Sequence, residues 1–278
     1  MILTDTHCHL DFNRFDPDRD EVLERAARAG LRRILVPGIH LDSSRAALAL
    51  AESHPMLYAA VGVHPNDALT WDEGTAEALR RLARHERVKA IGEIGLDYYR
   101  QRAPREVQQR VLREQLALAA EFGLPVVLHM REVADAREED GPCARDLMSI
   151  LREWVNGLRS KGDPLAQRPG VLHSFSGSLE TAREAIRLGF YIGVTGPVTF
   201  KNAQRRQQIV AQLPPERLLV ETDAPFLAPH PYRGRRNEPS FVRWIVDKIA
   251  QLHFEDQERV AAITTANAER LFSWGEQD

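Results

Sequence analysis

The sequence predicts a closed barrel of eight parallel strands and surrounding helices, the (β/α)8 or TIM barrel of the α/β class. Three observations predict it: short apolar or β-branched runs alternate with helical stretches, eight such runs occur, and the 278 residues suit a fold that typically uses about 250. Alternation of this kind indicates parallel strands, because each parallel connection needs a crossover. A doubly wound open sheet shows the same alternation, and the count of eight favours the closed barrel.

The predicted strands follow one another along the whole chain, with helical patterns between them. In order, they are residues 2–6, 33–37, 57–61, 89–94, 125–129, 170–173, 190–194 and 217–221. The capping residues of Leu41-Asp42-Ser43-Ser44 predict a helix start, and Pro104 suits the first turn of another helix. Apolar residues from Leu147 to Leu158 recur at intervals of three and four, which predicts a further helix.

We expect one domain over residues 1–278, because no repeat, low-complexity tract or Gly/Ser linker marks a boundary. Residues 133–169 differ from the rest of the chain in composition and pattern. They contain acidic Glu138-Glu139-Asp140, then a helical pattern, then Lys161-Gly162-Asp163-Pro164. We interpret this segment as a decorated crossover between the fifth and sixth strands.

Composition excludes several classes of protein. Apolar residues make up 43% and charged residues 28%, which is the mix of a soluble globule, and no apolar run approaches the roughly 18 residues of a membrane helix. Cys8 and Cys143 alone offer no disulfide framework, which predicts a cytoplasmic protein. The net charge of -3 gives no general attraction for nucleic acid, so any such binding needs a local patch or bound metal. The sequence indicates no obligate protein partner.

Ionisable residues collect where the predicted strands end. Five of the ten histidines lie at or just after the C-terminal end of a strand, and two carboxylates hold matching positions after strands four and eight: His7, His9, His64, His129, His173, Glu93 and Asp223. Each alone is explained by packing or by a turn. In a barrel, however, all these ends meet at one rim, which is where this fold places its active sites.

The residue types at this rim are those of a metal site. His7 and His9 alternate along a strand, so both can reach one ion while Cys8 points into packing. Asp5 shares their face, either as a partner of the ligands or as a charge inside the barrel. Imidazole and carboxylate without thiolate suit Zn, Mn, Fe, Ni or a Mg-type ion. Six ligands exceed one tetrahedral site, which predicts two divalent ions, and the carboxylate of Glu93 can span both.

Several sequence blocks, in order, resemble the TatD family of metal-dependent deoxyribonucleases, a branch of the amidohydrolase superfamily. They are Thr4-Asp5-Thr6-His7-Cys8-His9-Leu10-Asp11, Gly62-Val63-His64-Pro65, Gly92-Glu93-Ile94-Gly95-Leu96-Asp97-Tyr98-Tyr99, His173-Ser174-Phe175-Ser176-Gly177, Glu221-Thr222-Asp223-Ala224-Pro225-Phe226-Leu227 and Arg233-Gly234-Arg235-Arg236-Asn237-Glu238-Pro239. The resemblance implies a TIM barrel and a role in DNA repair. It also implies one metal at His7, His9, Glu93 and Asp223, a second at Glu93, His129 and His173, and contact between His64 and the reacting phosphate.

The stretch between His129 and His173 is longer than this family usually has, so we expect residues 133–169 to overhang or flank the rim.

The functional hypothesis is a deoxyribonuclease, a 3'-5' exonuclease on single-stranded ends, which uses two divalent ions (Mg, Mn or Zn) to activate water. Asp223 is the candidate general base, Glu93 the bridging ligand and His64 the donor to a phosphoryl oxygen. A basic segment after the eighth strand and three aromatic residues are the candidate substrate contacts: Arg233, Arg235, Arg236, Tyr98, Tyr99 and Phe175. The alternative for these six is a solvated loop and core aromatics.

Two other functions remain open. A hydrolase of the same superfamily that acts on another bond, such as a lactonase, an amidohydrolase or an aminoacyl-tRNA deacylase, would use the same metal ligands. A non-catalytic metal-binding barrel is the second alternative, although all six ligands are present.

Overall fold

Eight parallel strands lie side by side in chain order in the computed structural model, which describes residues 1–134 and 140–275. They are β1 Leu3–Asp5, β2 Leu31–Pro37, β3 Leu57–Val61, β4 Val88–Asp97, β5 Val126–Arg131, β6 Gly170–Leu172, β7 Tyr191–Val194 and β8 Leu218–Val220. The Thr6 backbone N–H donates to the Val220 carbonyl at 3.1 Å, and Cys8 forms a parallel bridge with Ala224. These contacts join the first strand to the last, and the predicted (β/α)8 barrel is confirmed.

Helices connect the strands and surround them. They are α1 Arg19–Arg28, α2 Leu41–Ser53, α3 Glu73–Ala83, α4 Arg105–Phe122, α5 Pro142–Ser160, α6 Leu179–Leu188, α7 Gln204–Ala211, α8 Val242–His253 and α9 Gln257–Phe272. Short 3-10 helices occupy Asn13–Phe15, Pro65–Thr70, Pro164–Gln167, Gly196–Thr199, Pro215–Arg217 and Pro239–Phe241. The predicted starts of α2 and α4 are confirmed, although His40, not a Ser or Asp, caps α2 by accepting from the Ser43 N–H. Among the described residues, no helix is long and apolar enough to span a membrane.

Strand β4 differs most from its prediction, because it runs three residues beyond Ile94. Its register with β5 shifts between Ile91 and Ile94, which is the position of a β-bulge. A bulge bends a strand and redirects side chains, and it occurs often beside active sites. A side chain at Gly92 would lie 2.6 Å from the Val127 Cβ, so only glycine fits at this bend.

The apolar core has two main parts, beside a small third cluster of Leu158, Leu165 and Ala166. The larger part fills the layer between strands and helices, and the smaller part lies inside the barrel. The interior part contains Leu35, Ala60, Ala90, Val127, Val171 and Leu219, and it continues into Tyr58, Tyr191, Leu271, Phe272 and Trp274. The last three of these come from the end of α9 and the residues after it, so this helix closes the N-terminal end of the barrel.

The described part of residues 133–169 does not overhang the rim. Helix α5 packs against α4, α6 and β5 as a regular member of the helical ring. Glu132 caps its start by accepting from the backbone N–H groups of Cys143 at 3.1 Å and Ala144 at 3.0 Å. Residues 135–139, which include two of the three predicted acidic residues, lie outside the described part of the chain.

Candidate metal centre

Six ionisable side chains from five strands converge at the C-terminal end of the barrel. They are the six predicted ligands His7, His9, Glu93, His129, His173 and Asp223. The first three and His173 are buried, and His129 and Asp223 are half-buried. The structure therefore brings all six together in one place.

Donor atoms of four side chains lie around the first candidate position for a metal ion. His7 Nε2 lies 3.2 Å from His9 Nε2 and 3.4 Å from Glu93 Oε2, and His9 Nε2 lies 3.5 Å from Asp223 Oδ1. Ligands about 2.1 Å from a tetrahedral metal ion stand roughly 3.4 Å apart. The donor atoms thus have the spacing that a single divalent ion requires.

The second oxygen of Glu93 faces a different group. Glu93 Oε1 lies 2.8 Å from His129 Nδ1, and His173 Nε2 lies 3.6 Å from Asp223 Oδ1. His173 forms a possible ligand set with His7 and Glu93, whereas His129 and Glu93 form one with His64, the donor atoms of each set lying within 4.8 Å of one another. Buried lone pairs that face one another are unfavourable without a proton or a cation between them. The residues present therefore fit a divalent metal, and Glu93 reaches both groups.

The backbone around two of these residues is held in an uncommon conformation. Asp223 has φ of +56° and Ser174, next to His173, has φ of +44°. Left-handed backbone at a non-glycine residue costs about 1 kcal/mol and collects at functional sites. The Asp223 N–H donates to the His7 carbonyl at 2.8 Å, which fixes the end of β8 to the end of β1.

Two carboxylates that the sequence analysis did not select support the histidine ligands. Glu221 Oε2 accepts from His173 Nδ1 at 2.8 Å and from the Ser174 N–H at 2.9 Å. Asp97 Oδ2 lies 3.3 Å from His129 Nε2. Each carboxylate fixes the ring so that its other nitrogen points to the metal site, as partners of metal-bound histidines commonly do. Strand alternation could have indicated both residues, because residues two or four apart on a strand share a face. Glu221 precedes Asp223 by two residues, and Asp97 follows Glu93 by four.

Asp5, whose role the sequence left open, accepts hydrogen bonds from backbone N–H groups and does not contact the donor atoms of the candidate ligands. Its Oδ1 accepts from the N–H groups of Thr222 at 2.9 Å and His7 at 3.2 Å, and Oδ2 accepts from the Thr222 hydroxyl at 2.5 Å. Burial raises the pKa of Asp5 to about 7, although the hydrogen bonds from Thr222 oppose the shift. Asp5 therefore joins β1 to the segment that carries Asp223.

His64 presents an N–H group to the site. Its Nδ1 accepts from the Asn66 backbone N–H at 3.0 Å, so the neutral ring carries its proton on Nε2, which lies 3.9 Å from Glu93 Oε1. Burial and the neighbouring His129 lower the pKa of His64 to about 3. His64 is thus a neutral donor beside the predicted ligands.

Charge within the site is balanced by pairing. Burial by itself would lower the pKa of His129, but hydrogen bonds to Asp97 and Glu93 outweigh it and raise that pKa to about 9. Burial would likewise raise the pKa of Asp223, yet hydrogen bonds with His173 and His9 hold it below its usual value. Imidazolium and carboxylate groups therefore neutralise one another, which is a role that a divalent cation can take over.

A cleft of about 730 Å³ opens above these ligands, and we call it the metal cleft. Four arginines that the sequence analysis did not select line it: Arg100, Arg102, Arg131 and Arg206. They come from the loop after β4, from the end of β5 and from α7. Of the four, only Arg131 lies at a strand end, and an arginine there is not distinguished from a solvent-exposed one by sequence. The cleft is therefore basic around an acidic and imidazole-rich floor.

The predicted arginines of residues 233–236 line a neighbouring depression and not the metal cleft itself. Arg233, Arg235 and Arg236 surround a space of about 430 Å³ that shares only Phe226 and Leu227 with the cleft. Arg236 is already paired, because it donates to both carboxylate oxygens of Asp18 at 2.7 Å. These side chains can contact only substrate that extends past Phe226 and Leu227.

The prediction that Tyr98 stacks on bases is wrong. The extended β4 turns Tyr98 outward beneath the helices, where it is fully buried and donates its hydroxyl to Asp146 at 2.7 Å. Phe175 is also buried, and it lines a cavity between β7 and α7 instead of the rim. Tyr99 is 51% exposed, with the Arg131 guanidinium 4.2 Å from its ring centroid. Stacking on a base by Tyr99 stays a prediction.

The chain matches known proteins along nearly its whole length. The model of a family described as TatD related DNase matches residues 4–273. An uncharacterized metal-dependent hydrolase, YabD of Bacillus subtilis, is 42% identical over 271 residues, which cover 98% of this chain and 99% of that protein. The 3'-5' ssDNA/RNA exonuclease TatD of Erwinia tasmaniensis is 38% identical over 275 residues, covering 97% and 99%.

A solved structure shows the same architecture. The crystal structure of YjjV, a TatD homologue from Escherichia coli, superposes with a TM-score of 0.86 at 35% sequence identity, and the match covers 98% of each chain.

Proposed function

The chain belongs to the TatD-related DNase family of metal-dependent phosphodiester hydrolases, and from this membership we propose that it is a 3'-5' exonuclease on single-stranded DNA ends. One observation carries the proposal: six ligand side chains converge around Glu93, whose two oxygens face two different histidine groups. The relative from Erwinia tasmaniensis, named as a 3'-5' ssDNA/RNA exonuclease, supports the direction and the single-stranded substrate.

Two divalent ions are the cofactors that this arrangement suits. The family resemblance assigns His7, His9, Glu93 and Asp223 to one ion and Glu93, His129 and His173 to the other. Contacts of His7 and His9 with Glu93 and Asp223 support the first set, and the contact of His129 with Glu93 supports part of the second. Divalent ions bound there would act as Lewis acids that activate water and neutralise charge on the phosphate. Mg, Mn and Zn all accept imidazole and carboxylate ligands, so the donor set leaves the choice to experiment.

The chain's own residues would orient the substrate and accept a proton from the attacking water. His64 Nε2–H donates to a phosphoryl oxygen whose negative charge grows in the transition state. Asp223 directs Oδ1 to the histidines, and we assign proton acceptance to its Oδ2. Arg100, Arg102 and Arg131 lie along the cleft wall, where guanidinium groups bind phosphate oxygens.

A metal titration against labelled oligonucleotides tests bond type, cation and direction together. Metal-free protein is supplied with Mg, Mn or Zn and given single strands labelled at the 5' end, with closed circular single strands as the comparison. We expect a ladder that shortens one nucleotide at a time from the 3' end, and no cutting of the circles. Rapid cutting of circles would refute an exonuclease, and turnover of esters or amides without DNA cleavage would refute a nuclease.

Variants of the ligands test the site assignment. Asp223→Ala and Glu93→Ala should each lower kcat by at least about 1000-fold while the far-ultraviolet dichroism of the barrel is retained. Exposed Glu216→Ala is the matched control and should keep its activity, because this side chain lies on the far side of β8 from the cleft. Near-normal turnover in either ligand variant would contradict the assignment.

A further inference from the structure

An apolar cavity opens between β7 and α7, beside the metal cleft, and we call it the β7–α7 cavity. Its volume is about 200 Å³, and apolar side chains form most of its wall: Phe175, Ile192, Val194, Ile209 and Val210. An apolar cavity of about 150 Å³ is enough to bind a benzene ring. The β7–α7 cavity therefore has the size and lining for one aromatic ring, with the Phe175 side chain as part of its wall.

The β7–α7 cavity adjoins the metal cleft. Ser176 and Arg206 line both the β7–α7 cavity and the metal cleft. Ser176 lies three residues after the ligand His173, on the loop that follows β6. These two residues lie between the cavity and the metal cleft, so a nucleotide that contacts both spaces must pass them.

Arg206 stands at this junction with donor groups to spare. It is half-buried, and its Nη1 donates to the Phe175 carbonyl at 2.7 Å. Within residues 1–134 and 140–275, no carboxylate forms an ion pair with it, in contrast to Arg236 and its partner Asp18. A guanidinium has five N–H donors, and a partly buried cation without a counter-ion is unfavourable until an anion binds. Burial correspondingly lowers the pKa of Arg206.

We propose that Arg206 and the β7–α7 cavity form a nucleotide subsite of the metal centre. Arg206 binds the phosphate next to the one that is cleaved, and the cavity takes the base of the nucleotide between these two phosphates. The inference rests on the proposed nuclease function and adds a requirement to it: efficient substrates have a second phosphate and a base at this position. Arg206 is in this account a binding residue and takes no part in bond cleavage.

The proposed contact is tested by removing the charge of the adjacent phosphate from the substrate and the charge of Arg206 from the protein, separately and together. Trinucleotides are made with either a phosphodiester or a neutral methylphosphonate at the linkage next to the one that is cut. The wild-type chain should lose roughly 10- to 100-fold in kcat/KM on the methylphosphonate, as expected for hydrogen bonds to a charged group. Arg206→Met should show the same loss on the normal substrate and no further loss on the neutral one. If Arg206→Met on the methylphosphonate lost the product of the two single losses in kcat/KM, the two groups would act independently and the contact would be refuted.

A substrate with a single phosphodiester separates this role from catalysis. Bis(p-nitrophenyl) phosphate has no adjacent phosphate, so the loss of kcat/KM that Arg206→Met causes on it should be at least about 10-fold smaller than the loss on the oligonucleotide, where KM rises. An equal loss on both substrates would show a structural or catalytic role instead. Arg206→Lys should restore part of the oligonucleotide activity, because lysine keeps the charge without the paired geometry. Exposed Arg183→Met on α6 is the matched control.

The base is tested by removing it or by filling the cavity. An abasic nucleotide between the two phosphates should lower wild-type kcat/KM by roughly 10-fold or more, within the range measured for base stacking. Ile209→Phe fills the cavity from α7, so this variant should bind the normal and the abasic substrate with equal, reduced affinity. A wild-type chain that is indifferent to the missing base would refute the base pocket and leave only the phosphate contact.

Binding without turnover keeps the subsite testable even when cleavage fails. Fluorescence anisotropy of a labelled trinucleotide, measured on metal-free protein, should show weaker binding to Arg206→Met. The slope of log affinity against log salt should become shallower by about 0.7, the value for one phosphate contact to a single strand. Unchanged binding and slope in a folded variant would overturn the subsite. Absence of cleavage by the wild type, with this binding difference intact, would overturn only the nuclease function.

Discussion

At the residue scale, the four histidine ligands are held in two different ways. The second ring nitrogens of His129 and His173 face the carboxylates of Asp97 and Glu221. The Nδ1 atoms of His7 and His9 are buried and have no hydrogen-bond partner in the described part of the chain. The first pair is thus oriented by hydrogen bonds and the second by packing and by the alternation of β1 and the residues after it.

Glu221→Gln should weaken metal binding by roughly 10- to 100-fold, the usual effect of losing a partner of a metal-bound histidine. Glutamine fills the same space against Gly193, but its neutral carbonyl oxygen accepts from His173 Nδ1 and the Ser174 N–H more weakly than the charged Oε2 of Glu221 does. Calorimetric titration with the activating cation measures the change, and Glu216→Gln is the exposed control. Unaltered affinity would show that packing alone orients His173.

The six candidate ligands that the structure brings together could be selected from the sequence because each lies at a strand end, where fold and residue type point to the same chemistry. Sequence reasoning missed Glu221 and Asp97, because a carboxylate that holds a histidine looks the same in sequence as one in a turn. Tyr98 was misplaced for a definite reason: the bulge at Glu93 and the longer β4 reverse which side chains face outward. Residue propensities do not reveal a one-residue shift in strand register of this kind.

At the element scale, helix α4 positions the catalytic rim through two buried glutamines seven residues apart. Gln115 accepts from the Val63 N–H at 2.7 Å and donates to the Val63 carbonyl at 2.9 Å, directly before His64. Gln108 forms the same pair of contacts with Asp97, at 2.8 and 3.1 Å. Each side chain supplies the hydrogen bonds that a neighbouring strand would otherwise give.

Gln108→Leu and Gln115→Leu should each lower the free energy of unfolding by about 1–3 kcal/mol, because the substitution leaves buried backbone groups without partners. Activity should fall as well, since Asp97 and His64 lose their support. Urea denaturation and turnover of the same samples measure both effects. Exposed Gln212→Leu on the outside of the ring should change stability by less than about 0.5 kcal/mol. Stable, fully active variants would show that the glutamines are dispensable.

At the scale of the whole molecule, the barrel has one open end and one closed end. Phe272 and Trp274 pack against Tyr58 at the N-terminal end, and the metal cleft occupies the other end. This polarity was predictable for the active site, which follows the C-terminal ends of the strands in this fold. The closure by α9 was not predictable, because an amphipathic helix pattern does not say which surface the helix covers.

Phe272→Ala should lower the free energy of unfolding by about 3–5 kcal/mol, the range for truncating a buried aromatic side chain. The metal ligands lie at the opposite end of the barrel, so cation affinity at low temperature should stay within a few-fold of the wild-type value. Thermal unfolding and calorimetric titration of the same preparation test both statements. A large loss of affinity in the folded variant would show coupling between the two ends.

The hydrogen bond from Asp223 to the carbonyl of His7 has a consequence for how the protein is made. Ribosomes release a polypeptide from its amino end, and His7 and His9 emerge long before β8 is translated. Until β8 is made and pairs with β1, the candidate metal site lacks Asp223. The hydrolase is therefore inactive throughout most of its own synthesis, and it becomes active only when the barrel closes.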